Sequence, residues 1–380
     1  LPGPPAIDPS NNAAIKPSNH PAIEPSQRIL TFLLYFHGMN RKSFLQQTGL
    51  LLASAGLPFG RSRAAGSAHA RHTIVPPYLK KGDVIGVTCP SGYISEKDVQ
   101  QAVQQIESWG FRIEIGNTVG KRDGSFGGSD QERLTDFQNM LNRRHIKAIL
   151  CARGGYGFVR IIDQIDFSAL RRHPKWIIGF SDITVLHCHL QRNYQVASLH
   201  SKMCNSFPDD WSKAPALQVD TILSIRQALT GKHMHYTAAP NAYNRKGTVT
   251  GTLVGGNLSV IETLAGTDSD LPVAGRILFI EDTHEYLYSI DRMLWNLKRT
   301  GKLKHLKALV VGGFNLKPDE PGDEFGKTLY DIVLEKIKNY RYPVCFDFPV
   351  GHQVNNMALK CGVPHRLVVG SDGSTLTEIR

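Results

Sequence analysis

The sequence predicts an α/β protein of two domains, the first built on a parallel sheet. Three observations carry this reading. The chain has 380 residues, and at roughly 150 residues per domain that allows two domains and a tail. From Lys81 onward, short β-branched runs alternate with apolar residues at helical spacing, the signature of βαβ units covered on both faces. That pattern stops in a polar stretch carrying Pro208, Pro215 and Pro240 and starts again at Gly247. Apolar residues make up 41% and charged residues 20% of the chain, enough to bury real cores. No stretch past residue 70 reaches the roughly 18 consecutive apolar residues of a spanning helix, so no integral membrane segment is expected there.

The elements follow in order. Val84–Cys89 reads as a buried strand, and Val99, Ala102, Val103, Ile106 and Trp109 then fall on one helix face. Phe111–Ile115 is a second strand. Ser129 with Glu132 makes a capping box that opens a helix with Leu134, Phe137, Met140 and Leu141 on its apolar side. Ile146–Cys151 and Trp176–Phe180 supply two more strands. The first domain spans 77–205, and 206–245 reads as a linker. In the second domain, 246–380, Gly247–Val254 is a strand, Gly255-Gly256-Asn257 a tight turn and Leu258–Leu264 a helix. Ile277–Ile280 is a strand that ends at Glu281. Ile290, Leu294 and Leu297 line a helix, Ala308–Val311 and Val344–Phe348 are strands, and Ser371-Asp372-Gly373 turns a terminal hairpin.

The net charge is +11, but the basic residues are scattered and lack the interleaved aromatics of a nucleic-acid stripe, so no nucleic-acid partner is expected. Residues 1–38 repeat Ala-Ile-x-Pro-Ser three times, from Ala6, Ala14 and Ala22. Units so short and Pro-rich hold no core; this leader reads as disordered or foreign to the natural protein. Met39 opens a second segment, 39–70, with basic Arg41-Lys42, an apolar middle and Ala68-His69-Ala70 at its end. That is the layout of a secretory signal peptide, and it predicts an exported, periplasmic protein whose mature chain starts near Arg71; the competing reading is a buried amphipathic N-terminal helix on a protein that stays in the cytoplasm. The six cysteines show no CxxC or zinc spacing, and free buried thiols are expected.

In an open parallel sheet, function gathers at the carboxyl ends of the strands. Pro90-Ser91-Gly92, Arg153-Gly154-Gly155-Tyr156-Gly157 and Gly179-Phe180-Ser181-Asp182 all sit at such ends. Gly179-Phe180-Ser181 has the shape of a nucleophile elbow, although Ile183 stands where the usual final glycine would be; a serine here also reads as an ordinary helix N-cap. A nucleophile needs a base and an orienting group. Glu281 ends an apolar strand, where a carboxylate is awkward without a partner, and His352 follows another strand and has an imidazole suited to base chemistry near neutral pH. His187, Cys188, His189 and His200 suggest a metal cluster, but positions 187 and 189 lie about 200° apart around a helix, and neither a metal nor a cofactor is expected. Gly124-Ser125-Phe126-Gly127-Gly128 lacks the Lys-Ser/Thr of a phosphate loop and reads as a mobile loop.

The ordered set Arg153-Gly154-Gly155-Tyr156-Gly157, Gly179-Phe180-Ser181-Asp182-Ile183-Thr184, Gly255-Gly256-Asn257-Leu258, Phe279-Ile280-Glu281-Asp282 and Gly351-His352 resembles the LD-carboxypeptidase family of serine peptidases. The resemblance runs from about residue 77 to the C-terminus. It implies a flavodoxin-like first domain, a smaller β-rich swivelling second domain, and a Ser181, Glu281 and His352 triad where the two meet; since the strand ends converge on one mouth, these groups are expected to face solvent there. It implies removal of the terminal D-alanine of murein tetrapeptide, with a peptidoglycan stem peptide as the molecular partner. The N–H groups of Asp182 and of Gly154 or Gly155 are candidates for the oxyanion hole. Arg153 either binds the substrate's free carboxylate or braces its own loop. Many family members pair as dimers, and nothing in the periodicity demands a homodimer here. Two other functions compete: a microcin-resistance peptidase acting on a peptidyl-nucleotide, which a cleaved leader argues against, and a non-catalytic murein-binding module, which would not need the triad residues.

Overall fold

The structure is a computed structural model that describes residues 73–379; the repeats of 1–38 and the signal peptide read over 39–70 lie outside the described residues. Five parallel strands, β1 (Val84–Thr88), β2 (Arg112–Ile115), β3 (Ile146–Cys151), β4 (Trp176–Gly179) and β5 (Ser198–His200), form one sheet in the order 2-1-3-4-5. This is the flavodoxin-like order, whose switch point lies between β1 and β3. Both faces are covered, so the strands are apolar throughout: in β3, Ile149 and Cys151 enter one core while Ala148 and Leu150 enter the other.

The crossover helices follow their sequence signals. Helix α1 (Glu96–Ser108) is N-capped by Ser95 and buries Val99, Ala102 and Ile106. In α2 (Asp130–Asn142) the Ser129 N–H donates to Glu132 Oε2 at 2.9 Å and the Glu132 N–H donates back to Ser129 Oγ at 3.3 Å, the reciprocal box the spacing predicts. Short helices α3 (Ser168–Arg172) and α4 (Thr184–His189) flank β4 and carry the chain toward β5.

The second sheet holds β6 (His235–Ala238), β7 (Gly247–Asn257), β8 (Ile277–Glu285), β9 (Ala308–Leu316) and β10 (Val344–Cys345), while β11 (Leu359–Cys361) leaves it to pair antiparallel with β5 in the first sheet. The hairpin β12 (Pro364–Val369) and β13 (Ser374–Glu378) completes the order 10-9-8-7-12-13-6. Strands β7 to β10 run parallel, and β12, β13 and β6 pair antiparallel. Its helices are α6 (Leu258–Thr263), α7 (Leu287–Arg299) and α8 (Leu329–Ile337), with α5 (Ala216–Leu229) in the connection between the sheets. Among the described residues no helix is long and apolar enough to cross a membrane.

Several local expectations change. The 206–245 stretch is no bare linker: Pro215 precedes α5, which buries Ile222, Ile225, Ala228 and Leu229, and β6 follows as a sheet edge. The Gly255-Gly256 pair is not a tight turn but the end of β7, at φ +152° and +148°. A Cβ at Gly255 would run into the Phe279 carbonyl oxygen, and one at Gly256 would lie 2.5 Å from Thr184 Oγ1. The glycines are therefore required by close approach, and the approach matters: Thr184 Oγ1 accepts the Asn257 N–H at 3.0 Å, joining the start of α4 to the end of β7. The strand at Val344 stops at Cys345, and β8 runs past Glu281 to Glu285. The glycine-rich loop at 124–128 is pinned rather than loose, with the Gly127 N–H on Ser91 O at 3.0 Å and the Tyr93 N–H on Ser125 O at 2.9 Å. All six cysteines are buried and unpaired.

Candidate active site

The loops after β1 and β3 meet at the switch point, where the Gly92 N–H donates to Gly154 O at 2.8 Å. A residue that sequence reasoning missed, Arg133 of α2, holds them together. Its buried guanidinium donates from Nη1 to Pro90 O at 2.7 Å and to Gly157 O at 2.9 Å, and an ion pair to Asp130 balances its charge. An arginine on a capped helix reads as surface; only its burial marks it as the staple of two site loops.

Ser181 follows β4 with φ +62°, a left-handed conformation that is rare outside glycine and marks a functional constraint. The turn aims its side chain at the β3 loop, so that a Cβ on Gly154 would stand 3.2 Å from Ser181 Oγ. The N–H groups of Gly154 and Gly155 have no acceptor among the described residues. The next residue, Asp182, is buried, and its Oδ2 accepts the Phe158 N–H at 2.8 Å, tying the serine turn to the β3 loop. Burial raises the Asp182 pKa, with the Phe158 N–H hydrogen bond and the charge of Arg133 opposing. Arg153 is exposed and donates from Nη1 to Tyr93 O at 2.7 Å.

Glu281 lies in β8 and is fully buried, not at a solvent-facing mouth, because β8 is an inner strand paired with β7 on one side and β9 on the other. Its Oε2 lies 2.6 Å from His352 Nδ1. An ionised carboxylate only accepts, so Nδ1 carries the proton and the Nε2 lone pair is left free. Gly351 makes this contact sterically allowed: at φ +108°, a Cβ there would sit 2.5 Å from Glu281 Cβ. The His352 ring packs on Phe180 with centroids 4.8 Å apart, which brings the imidazole beside the Ser181 turn. Among the described residues no hydrogen bond joins Ser181 Oγ to His352; such contacts often tighten only with substrate bound.

His200, considered above as a metal ligand, lies on the other side of Glu281. Fully buried between Phe180 and Phe279, it places Nε2 3.7 Å from Oε1, beyond a full hydrogen bond yet within electrostatic reach. Neither His200 nitrogen has a hydrogen-bond partner among the described residues. His187 is spent on Ser198 Oγ and Gly179 O, and His189 on Ser269 Oγ, so the histidines have separate partners.

Burial pushes the Glu281 pKa up, but the hydrogen bond from His352 and the charge of the His352 and His200 imidazoles outweigh it and hold the carboxyl at about 2, against an ordinary 4.5. Next to it, burial and the Glu281 charge raise Asp282 to about 6 against hydrogen bonds from Thr283, Asn257 and Ser259. The signs are opposite. Stability from ionised Glu281 is complete above about pH 4.5 and is lost as pH falls toward 2; Asp282 costs stability as it ionises between 3.8 and about 6. Denaturant melts between pH 6 and 2 should therefore fall steeply only below pH 4.5, and Glu281→Gln should flatten that limb. An equally steep limb in the variant would mean that Glu281 is not held ionised in the native state.

Beside His352 opens a cleft of about 480 Å³, lined also by Lys202, Thr283, Asn315 and Gln353, within the usual range of small-molecule sites of about 300–1,000 Å³. Residues 85–201 match the LD-carboxypeptidase N-terminal domain and residues 250–367 the LD-carboxypeptidase C-terminal domain.

The chain belongs to the LD-carboxypeptidase family.

It is 34% identical over 290 residues to a protein of Bacillus subtilis named probable murein peptide carboxypeptidase, covering 76% of this chain and 89% of that one. It is 29% identical over 283 residues to the murein tetrapeptide carboxypeptidase of Pseudomonas aeruginosa, covering 73% and 91%. Among solved structures, muramoyltetrapeptide carboxypeptidase from Oxalobacter formigenes superposes with a TM-score of 0.69 at 27% identity, covering 78% of this chain and 99% of that one. The resemblance read from the five motifs thus holds, as does the α/β fold with a parallel first sheet. As a member of this family the chain is a serine-type carboxypeptidase.

Proposed function

We propose that this carboxypeptidase removes the terminal D-alanine from murein tetrapeptide, with Ser181 as nucleophile, His352 as general base and then general acid, and Glu281 as the group that orients the imidazole. The observation that carries the reading is the 2.6 Å bond from His352 Nδ1 to the buried, ionised Glu281, which leaves the Nε2 lone pair free to take a proton. In the acylation step the Ser181 oxygen attacks the scissile carbonyl carbon, its proton passes to His352 Nε2, and the imidazolium returns it to the leaving amine; water then repeats the sequence to release the shortened peptide. The unengaged N–H of Gly154 or Gly155, with that of Asp182, supports an oxyanion hole; removing one such donor costs about 10²–10³ in rate. The protein acts after export, with a mature N-terminus near Arg71, a reading supported by the basic, apolar and Ala-x-Ala order of residues 39–70.

The direct experiment incubates the protein with murein tetrapeptide and, separately, with a peptidyl-nucleotide, weighing the products. Loss of one alanine from the first and no cleavage of the second is expected, with activity surviving a strong chelator. Cleavage of the peptidyl-nucleotide alone would transfer the chain to the competing substrate class. Protein recovered from the native host should begin near Arg71; an intact chain from Met39 in the cytoplasm would sink the export reading.

A further inference from the structure

One cation in the cleft has no carboxylate bound to it among the described residues. Lys202 lies just past the end of β5, half-buried, and its ammonium rests 5.5 Å from the centre of the Phe180 ring. Among the described residues its Nζ makes no hydrogen bond or ion pair with a carboxylate or carbonyl. The residues lining the cleft include no aspartate or glutamate. Taking an ammonium partly out of water without a partner is costly, and burial lowers the Lys202 pKa while the charge of Glu281 opposes the shift. A site that tolerates this cost is suited to an anion arriving from solution.

The placement says which anion. The ring of Phe180 carries both Lys202, at 5.5 Å, and His352, at 4.8 Å. The imidazole must hand its proton to the leaving amine, so the departing residue has to occupy the cleft beside His352. In an α-amino acid the carboxylate is separated from that amine by a single carbon. A cation sharing a floor with the catalytic imidazole therefore meets the carboxylate when the amine meets the base. Thr283, Asn315 and Gln353 line the same space with neutral polar groups.

We propose that Lys202 binds the free terminal carboxylate of the substrate, and that the cleft beside His352 is the subsite for the leaving D-amino acid. The assignment rests on the carboxypeptidase reading above and gives it the feature that restricts cleavage to the chain end. Arg153, the other cation considered for this task, does not line the cleft and already donates to Tyr93 O.

The test compares kcat/KM on murein tetrapeptide and on the same peptide with its terminal carboxylate converted to a carboxamide. The wild-type protein should prefer the acid by about 10- to 100-fold, the range of a charge-assisted hydrogen bond. Lys202→Met, which keeps an apolar stem over Phe180, should bring that ratio toward one, with the loss falling mainly on KM for the acid. Lys202→Arg, which restores the charge, should recover most of the preference and guards against a folding artefact. Retention of the wild-type ratio in Lys202→Met overturns the subsite. So does collapse of the ratio in Arg153→Met while Lys202→Met keeps it. A wild-type protein that cleaves neither peptide instead overturns the murein reading itself, and the subsite with it.

Discussion

Ser181→Ala is expected to lower kcat/KM on murein tetrapeptide by about 10⁴- to 10⁶-fold, the range seen when a serine nucleophile is removed and only binding and the oxyanion hole remain. The left-handed backbone at Ser181 aims its side-chain oxygen at the glycine loop after β3, and the residue before it, Phe180, packs on His352. The methyl of alanine meets the same φ restriction as the Cβ of serine and removes only that oxygen, so melting behaviour should stay near wild type. The two side chains act as one unit, so adding His352→Ala to Ser181→Ala should cost little more, whereas each alone should cost nearly as much as both. A Ser181→Ala protein that keeps most of the wild-type rate would return Ser181 to the role of a helix N-cap. Additive losses in the double variant would mean that the serine and histidine work in separate steps.

Glu281→Gln is expected to lower kcat by about 10²- to 10⁴-fold, less than the loss of the nucleophile. The upper figure is that of a serine protease whose orienting aspartate becomes asparagine and leaves the histidine in the wrong tautomer. Here the buried carboxylate stands between two imidazoles, His352 at 2.6 Å and His200 at 3.7 Å. A glutamine amide must turn its carbonyl to one and its NH₂ to the other. With the carbonyl toward His352 the tautomer is kept and only the charge that stabilises the imidazolium is lost; with the NH₂ toward His352 the proton moves to Nε2 and the base is blocked. Steady-state rates on tetrapeptide, with melts as control, decide the size. Retention of more than about a tenth of the activity would show that the orienting group is not Glu281.

Much of this arrangement is legible from local pattern alone. The Ser129/Glu132 capping box, the buried strands and the helix faces depend on residues within a few positions of one another, where the physics of hydrogen-bonded ends and buried stripes acts directly. The glycine and serine motifs after β3 and β4 likewise lie at strand ends that one parallel sheet must bring to one edge. Helix α5 escaped because its polar composition and prolines resemble a connection, while its burial depends on what packs over Ile222 and Ile225. Helix α8, opened by a Thr328/Asp331 box, carried a local signal that went unread.

By itself, the sequence determined the class of fold and the family, and it named the candidates for the chemistry, because spacing, caps and motif order are properties of the chain. Only the tertiary structure decided how those residues meet. It set Glu281 in an inner strand where it is buried against His352, placed His200 on the far side of that carboxylate, clamped two loops with Arg133, and left Lys202 in a cleft with no carboxylate bound to it. Those pairings join residues up to 81 positions apart. They follow from where whole strands end up once two cores are packed, and no local pattern carries that information.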